Sequence, residues 1–267
     1  MSINPRIFVD AIRRYCRARG IACEVKSQGW LLIMQRGERR HLAFGYDIGL
    51  NSAMAHRIAN DKSATAEVLA HSGIACVPHA LFLSPKLGKH APAAGAREAM
   101  LALLQAHPHG LVAKPNEGTS GRFVFRVTSE AELGHATSEI FASHLSLAIS
   151  PFVEIEEEVR VILLDGEARV VYSKERISDW RHNLDFGARP ILLEQGEARE
   201  VCVAMAVQAA TAIGIRFASI DIVRVGGSWQ VLEINSAVMM EVLGKHHPEL
   251  VYATYAAALD KVFETNP

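Results

Sequence analysis

Two glycine-bearing turns in the C-terminal half of the chain constrain its fold more than any other feature. Asp165-Gly166 and Gly226-Gly227-Ser228 each separate two strand-like runs of residues. A short turn of this composition between apolar runs is the typical signal of a β-hairpin. The runs are residues 158–164 with 169–175, and 217–225 with 229–235. The sequence therefore predicts two β-hairpins in this half.

The rest of the chain alternates between helical and strand-like patterns. Apolar residues recur at helical spacing over 5–20, and turns are expected at Gly29 and at 36–40. A helical stretch over 51–72 splits near Asn60 and Asp61. Strands are expected at 23–26, 30–35, 77–83, 111–114, 123–127 and 147–149, and helices at 96–106, 130–143, 197–213 and after 235. This order predicts an α+β (α/β) protein with a short N-terminal region (1–58), a small lobe (59–150) and a second lobe (151–267).

Composition limits the classes of partner. The chain has 267 residues, 49% of them hydrophobic, which is enough to bury a sizeable core. The 28 Lys and Arg residues balance 29 Asp and Glu residues, so no net field gathers polyanions or holds a membrane surface. We therefore expect neither nucleic acid nor a membrane as a principal partner.

The four cysteines and the N-terminus indicate a cytoplasmic protein. Cys16, Cys23, Cys76 and Cys202 form no CxxC pair, so neither a zinc site nor a disulfide framework is expected. The first twenty residues carry charges throughout and lack the apolar core of a signal peptide.

Polar residues on the last predicted hairpin suggest a metal site. Glu233 and Asn235 are two apart on one strand and project from the same face, and pairing with the preceding strand can bring Asp221 beside them. Two carboxylates and an amide oxygen are ligands suited to Mg²⁺. Solvated acidic residues near strand ends are the alternative, although the apolar neighbours of these residues argue for burial.

The segment KPNEGTSGRFVF, from Lys114 onward, places a strand-ending lysine before a loop with Gly118, Thr119, Ser120 and Gly121. Glycine lets backbone amides approach phosphate oxygens, and lysine neutralises their charge. The loop leads into a strand, so it is neither a Walker A loop nor a Rossmann fingerprint. A plain hairpin turn is the alternative.

These motifs occur in one recognisable order. Lys62 within NDK, the Lys114 loop, residues 151–153 before Glu158-Val159-Arg160, and the DIV…LEIN hairpin together resemble the ATP-grasp superfamily. The resemblance covers about residues 50–245 and is nearest to ribosomal-protein glutamate ligases, glutathione synthetases and the ATP-grasp part of cyanophycin synthetase. It implies an ATP-grasp fold, in which two α+β lobes clasp ATP.

The resemblance also implies roles for individual residues. Lys62 and Lys114 would contact the nucleotide phosphates, with Glu117, Gly118, Thr119, Ser120 and Gly121 as a flap over them. Ser150, Phe152 and Val153 would form the hinge beside adenine, and Glu158 would hold the ribose hydroxyls. Asp221, Glu233 and Asn235 would coordinate Mg²⁺, or Mn²⁺ in its place.

Several cationic or polar residues lie between the hinge and the metal hairpin. The family places groups for the transferred phosphoryl and the acceptor carboxylate there, and cations would stabilise an acyl-phosphate and its tetrahedral adduct. The candidates are Arg160, Lys174, Arg176, Arg181 and Asn183. For the last three, a solvated loop is the alternative.

Two features depart from the family pattern. About 50 residues precede the NDK segment, too few for the Rossmann-like domain that many relatives carry there. That part of the substrate pocket is then reduced or supplied by a second subunit, which leaves a homodimer open. After Asn235, Val238, Met239 and Met240 either line an apolar acceptor pocket or pack in the core.

The sequence therefore predicts an ATP-dependent carboxylate–amine ligase that acts on amino acids or peptides through an acyl-phosphate. Phosphoryl transfer without amide formation and carboxylation are enzymatic alternatives on the same fold. A nucleotide-binding regulatory module without catalysis is the alternative from another class.

Overall fold

The computed structural model describes residues 6–90, 95–118, 122–175 and 189–264. Within these ranges the strands form three antiparallel sheets, and the buried apolar side chains form three clusters, one of which is shared by the first and third sheets. No helix among the described residues combines the length and apolarity that crossing a bilayer demands.

The N-terminal sheet has the order β1-β2-β3 and packs on α1. Its elements are α1 (Ile7–Ala18), β1 (Ala22–Lys26), β2 (Leu31–Arg36) and β3 (Arg39–Phe44), with a 3-10 turn at Ser27–Gly29. The expected turn over 36–40 was wrong in its last two residues, which belong to β3. Arg39 lies opposite Arg36 of β2, and its guanidinium donates to the carbonyl of Phe263, 2.8 Å away, in the C-terminal helix.

The second sheet has the order β4-β7-β5-β6 and is covered by α4 and α5. The elements of this part are α2 (Ala53–Asn60), α3 (Lys62–His71), β4 (Ala80–Leu83), α4 (Ala96–Ala106), β5 (Leu111–Pro115), β6 (Phe125–Val127), α5 (Glu130–Ser143) and β7 (Ser146–Pro151), with a 3-10 segment at Pro85–His90. The predicted break near Asn60 and Asp61 is confirmed, since Asp61 caps α3.

The predicted strand at 77–83 is shorter than expected. Its first residues leave the small sheet, because the amide of Val77 donates to the carbonyl of Val231, 2.9 Å away in the third sheet. This link joins the segment before β4 to the sheet that carries the predicted metal hairpin.

The third sheet has the order β10-β9-β8-β11-β12 and contains both predicted hairpins. Its elements are β8 (Glu157–Leu164), β9 (Glu167–Lys174), β10 (Pro190–Leu192), α6 (Glu197–Ile213), β11 (Phe217–Val225) and β12 (Ser228–Asn235), followed by α7 (Glu241–His246) and α8 (Pro248–Glu264). The single final helix that the sequence predicted is therefore two helices, because Pro248 starts a new one.

The two faces of this sheet differ in character. One face is apolar and packs against α6 and α3. The other is apolar at one end, where Ile162, Tyr172 and Phe217 share a core with α1 and α8, and charged at the other end. The charged end carries the predicted site.

Candidate active site

A row of side chains crosses four strands at the charged end of the third sheet. Arg160 lies opposite Tyr172 of β9 on one side and Asp221 of β11 on the other. Asp221 in turn lies opposite Glu233 of β12. The expectation that pairing brings Asp221 beside Glu233 is thus confirmed, and a register shift after Asp221 indicates a bulge there.

Asp221 is held by two cations. Nε and Nη2 of Arg160 each donate to one carboxylate oxygen at 2.6 Å, and Nζ of Lys174 lies 3.2 Å from Oδ1. Burial alone would raise the pKa of Asp221, but the two cations outweigh it and hold the pKa below its usual range. Asp221 is therefore a buried carboxylate whose charged form is stabilised by Arg160 and Lys174.

Lys174 also pairs with Glu158, so Arg160 and Lys174 lie among the carboxylates of Glu158, Asp221 and, at the edge, Glu233. Glu158 is buried, and this burial raises its pKa to about 7. The predicted contact of Glu158 with ribose hydroxyls stays a prediction. In this arrangement its Oε1 is taken up by Lys174.

Glu233 and Asn235 stand at the open edge of this cluster. Both are partly exposed, and Nδ2 of Asn235 donates to Oε1 of Glu233 at 3.2 Å. Among the described residues, no three His, Cys, Asp or Glu side chains are grouped to hold a metal. The hard oxygen donors of Asp221, Glu233 and Asn235 still fit Mg²⁺ in type, and a metal at Asp221 would compete with Arg160 for its oxygens.

Lys62 and the first flap residues approach from the opposite side. Nζ of Lys62 donates to the carbonyl of Gly118 at 2.9 Å. The backbones of Asp61 and Glu117 pair as an isolated antiparallel β-bridge. Asn116 fixes this arrangement: its Oδ1 accepts from the amide and the hydroxyl of Ser63 at 3.0 and 2.9 Å. The remaining predicted flap residues, Thr119, Ser120 and Gly121, lie outside the described residues.

Lys114 is the last residue but one of β5 and is buried, which lowers its pKa to about 8. Two buried polar atoms near the lysines have no hydrogen-bond partner among the described residues, Nε2 of His79 and Nδ2 of Asn116. Such unsatisfied groups are costly. A phosphate oxygen beside Lys62 and Lys114 would accept from Nδ2 of Asn116, which fits the predicted phosphate contacts. Nε2 of His79 is different, because Nδ1 of the neutral ring donates to the carbonyl of Val77 and leaves Nε2 an acceptor that needs a donor.

The predicted hinge lies where β7 ends. Ser150 is buried opposite Val112, and the amide of Phe152 donates to the carbonyl of Gly110 at 2.9 Å. The guanidinium of Arg126 stacks on the Phe152 ring at 3.8 Å from its centre. Val153 follows, partly exposed. The candidates Arg176, Arg181 and Asn183 lie outside the described residues.

A cleft of about 630 Å³ brings part of the predicted site together. Five predicted residues line it, namely Lys62, Glu117, Gly118, Glu233 and Asn235. Its far end is built by Trp30, Phe44, Tyr46, Asp47 and His56, which the sequence did not indicate, together with Met239, a candidate for an apolar acceptor pocket. Val238 and Met240 are buried in the core, so of these three candidates only Met239 lines the cleft.

The sequence and the fold agree on the family. The RimK-like ATP-grasp domain matches residues 59–248. The chain belongs to this family. The resemblance inferred from the order of the lysines, the flap and the metal hairpin is thereby confirmed.

Two curated relatives of this ATP-grasp chain are named probable alpha-L-glutamate ligase. The one from Pasteurella multocida (strain Pm70) is 28% identical over 201 residues, which cover 73% of this chain and 59% of the relative. The one from Legionella pneumophila (strain Corby) is 26% identical over 200 residues, which cover 73% of this chain and 61% of the relative. The chain therefore spans about three-fifths of the length of these relatives.

Solved structures support the same fold. D-alanine–D-alanine ligase from Bacillus anthracis, complexed with ATP, gives a TM-score of 0.61 at 20% identity over 80% of this chain and 68% of that one. A bifunctional glutathione synthetase from Pasteurella multocida gives a TM-score of 0.57 at 15% identity over 92% of this chain and 44% of that one. The predicted fold class, an α+β ATP-grasp fold, is confirmed.

Proposed function

We propose that this protein is an ATP- and Mg²⁺-dependent carboxylate–amine ligase that acts on amino acids or peptides. The observation that carries the proposal is the cleft, in which Lys62 and Gly118 face Glu233 and Asn235. The groups that we propose to bind phosphate and metal thus share one cavity. The names of the relatives and the ligase fold support the reaction class.

In the proposed reaction, a substrate carboxylate oxygen attacks the γ-phosphorus of ATP and ADP leaves. The neutral amine nitrogen then attacks the acyl carbon, phosphate leaves and the nitrogen loses one proton, so the amide keeps its N–H. Lys62 and Lys114 would hold the phosphates, and Arg160 would stabilise the charge that develops on them. Mg²⁺, or Mn²⁺, held by Asp221, Glu233 and Asn235 would neutralise the phosphate oxygens.

The assignment of roles follows the same proposal. We place the nucleotide between the small lobe (59–150) and the second lobe (151–267), with Ser150, Phe152 and Val153 beside the adenine. Lys174 would orient Asp221, to which it is bound. The N-terminal region (1–58) would complete the substrate pocket, and whether a homodimer forms stays a prediction.

The test is a screen of amino acids and short peptides for ATP-dependent phosphate release. We expect ADP and phosphate with a productive pair, and a joined product lighter by one water in mass spectrometry. Glu233→Gln should reduce the rate by two orders of magnitude or more, on the order of one lost electrostatic contact to the transition state. The matched control Glu139→Gln, exposed on α5, should leave it unchanged. Release of AMP and pyrophosphate would contradict the proposal.

A further inference from the structure

The far end of the cleft has a surface that the proposed nucleotide and metal sites do not use. We call it the aromatic rim and define it as Trp30, Phe44, Tyr46, Asp47 and His56. Trp30 is 50% exposed and Phe44 is 64% exposed, although both are large apolar side chains. Exposed aromatic groups grouped at a cavity mark a binding surface more often than isolated ones do.

The rim is held rigidly by the N-terminal region. Phe44 and Asp47 exchange backbone hydrogen bonds, both 2.9 Å, across a tight turn whose Gly45 has a φ of +64°. Tyr46 donates to Glu241 of α7 at 3.0 Å. The guanidinium of Arg6 lies 4.4 Å from the Trp30 ring centre. A surface fixed in this way loses little conformational entropy when a ligand binds.

The charge of the rim is negative. Oδ1 of Asp47 accepts from the amide of Gly49 at 2.7 Å. Its Oδ2 lies 3.6 Å from Nδ1 of His56, beyond hydrogen-bond reach, so this oxygen keeps capacity to accept from a ligand. Nε2 of His56 is engaged with Asn60 at 3.0 Å, which fixes the ring beside Asp47.

Among the described residues no Lys or Arg forms a salt bridge with Asp47, and the ring of His56 lies 3.6 Å from it. The guanidinium of Arg6 lies against the Trp30 and Tyr46 rings, at 4.4 and 4.7 Å from their centres. Lys62 is the one Lys or Arg among the described residues that line the cleft, and it belongs to the end with Gly118. Arg6 donates to the backbone carbonyls of Gly29 and Gly45 and does not line the cleft. The rim therefore offers a carboxylate beside apolar rings.

We propose that the aromatic rim binds the amine substrate of the ligase, as the ammonium group of an amino acid or peptide whose side chain is apolar or aromatic. This inference rests on the proposed function. Oδ2 of Asp47 accepts from the ammonium, and the rings of Trp30 and Phe44 contact the side chain. A glutamate in the same place would set its side-chain carboxylate against Asp47, so the rim selects against it.

The first test is equilibrium binding, which requires no turnover. The probe is L-phenylalaninamide, measured by calorimetry against L-glutamate and against 3-phenylpropionamide, which has the ring but no ammonium. We expect binding of the first probe alone. Phe44→Ala and Asp47→Asn should each weaken it about tenfold or more, the size expected for one buried ring or one charged hydrogen bond.

The control variant is Leu42→Ala, because Leu42 is 50% exposed on the same strand as Phe44 but does not line the cleft. It should bind the probe as the unchanged protein does. Phe44 is itself exposed, so its removal leaves the fold intact and the result interpretable. Equal affinity for L-glutamate and L-phenylalaninamide, or an unchanged affinity in Phe44→Ala, would overturn the assignment.

The second test separates this inference from the proposed function. Phosphate release from ATP and Mg²⁺ is followed with each amine in the presence of a panel of carboxylates. Turnover with L-phenylalaninamide that falls in Asp47→Asn through a higher KM at an unchanged kcat supports the rim. Turnover with glutamate as the amine and none with L-phenylalaninamide keeps the ligase and rejects the rim. Specific binding with no turnover for any pair keeps the rim as an amine site and rejects the ligase.

Discussion

At the scale of single residues, burial controls the protonation of side chains near the candidate site. His79 precedes β4 and is only 6% exposed. Its Nδ1 lies 2.9 Å from the carbonyl of Val77, while Nε2 has no partner among the described residues. Burial, and then the charges of Lys114 and Lys62, hold the pKa of His79 well below its usual 6.5. The neutral ring is thus a condition of the folded state.

We predict that this histidine makes the protein less stable in acid. The unfolded chain takes up a proton near pH 6.5 and the folded chain does not, so stability is fully present above pH 6.5 and falls below it. Between pH 7.5 and 5.5 the loss in the free energy of unfolding should be about 1.4 kcal/mol. Urea denaturation at the two pH values measures it.

His79→Gln serves as the reference for that measurement. Every other titrating group is shared, so the unchanged protein should lose about 1.4 kcal/mol more than this variant over the same interval. Equal losses in the two proteins would mean that folding does not lower the pKa of His79.

At the scale of elements, the sequence predicted the hairpins and the sharing of a face by Glu233 and Asn235. Strand alternation and turn composition are local properties, and they are legible in one chain. The bidentate contact of Arg160 with Asp221 could not be predicted from the sequence, because it depends on the register between β8 and β11. The third N-terminal strand was missed for a similar reason, since Arg39 finds its partner in α8.

Gly110, directly before β5, has a backbone conformation on which the position of this strand depends. Its φ is +92°, and a Cβ there would lie 2.5 Å from the carbonyl oxygen of Val127. The carbonyl of Gly110 also accepts from the amide of Phe152 in the predicted hinge. The junction of β5, β6 and the hinge therefore requires glycine.

We predict that Gly110→Ala lowers the free energy of unfolding by about 1 to 3 kcal/mol, since both the backbone angle and the contact with Val127 are strained. Gly134→Ala is the matched control. Gly134 lies inside α5, and a Cβ added there would meet no described atom within 4 Å beyond its own stretch of helix, so the same change should stabilise by about 0.5 to 1 kcal/mol. Chemical denaturation of both variants gives the comparison, and a shift of the same sign in the two would contradict it.

At the scale of the whole molecule, the N-terminal region is part of the second lobe's core. Tyr15 donates to Asp260 at 2.9 Å, and the amide of Ile7 donates to Glu241 at 3.0 Å. Asn51 accepts from the amide of Phe217 at 2.9 Å. These contacts join residues more than 150 positions apart, and periodicity in a single chain carries no information about them. The walls of the cleft's far end were unpredictable for this reason.

The cleft is lined by groups proposed to bind nucleotide that come from different elements. Lys62 begins α3, and Glu117 and Gly118 follow β5, whereas Glu233 and Asn235 lie on β12 of the third sheet. Ligand binding to the folded state raises the free energy of unfolding by RT ln(1 + [L]/Kd). At ATP and Mg²⁺ concentrations about 100 times Kd, the increase should be about 2.7 kcal/mol. Thermal denaturation with and without nucleotide measures it.

The metal's share of this stabilisation is separable. ATP with a chelator should stabilise less than ATP with Mg²⁺, because phosphate repulsion by Glu233 and Asp221 is then not neutralised. In Glu233→Gln this repulsion is reduced and one proposed metal ligand is weakened. The difference between the stabilisation by ATP with a chelator and the stabilisation by ATP with Mg²⁺ should therefore shrink. In Glu139→Gln, remote from the cleft, it should persist. A difference of full size in Glu233→Gln would show that the metal is held elsewhere and that the hairpin of β11 and β12 does not bind it.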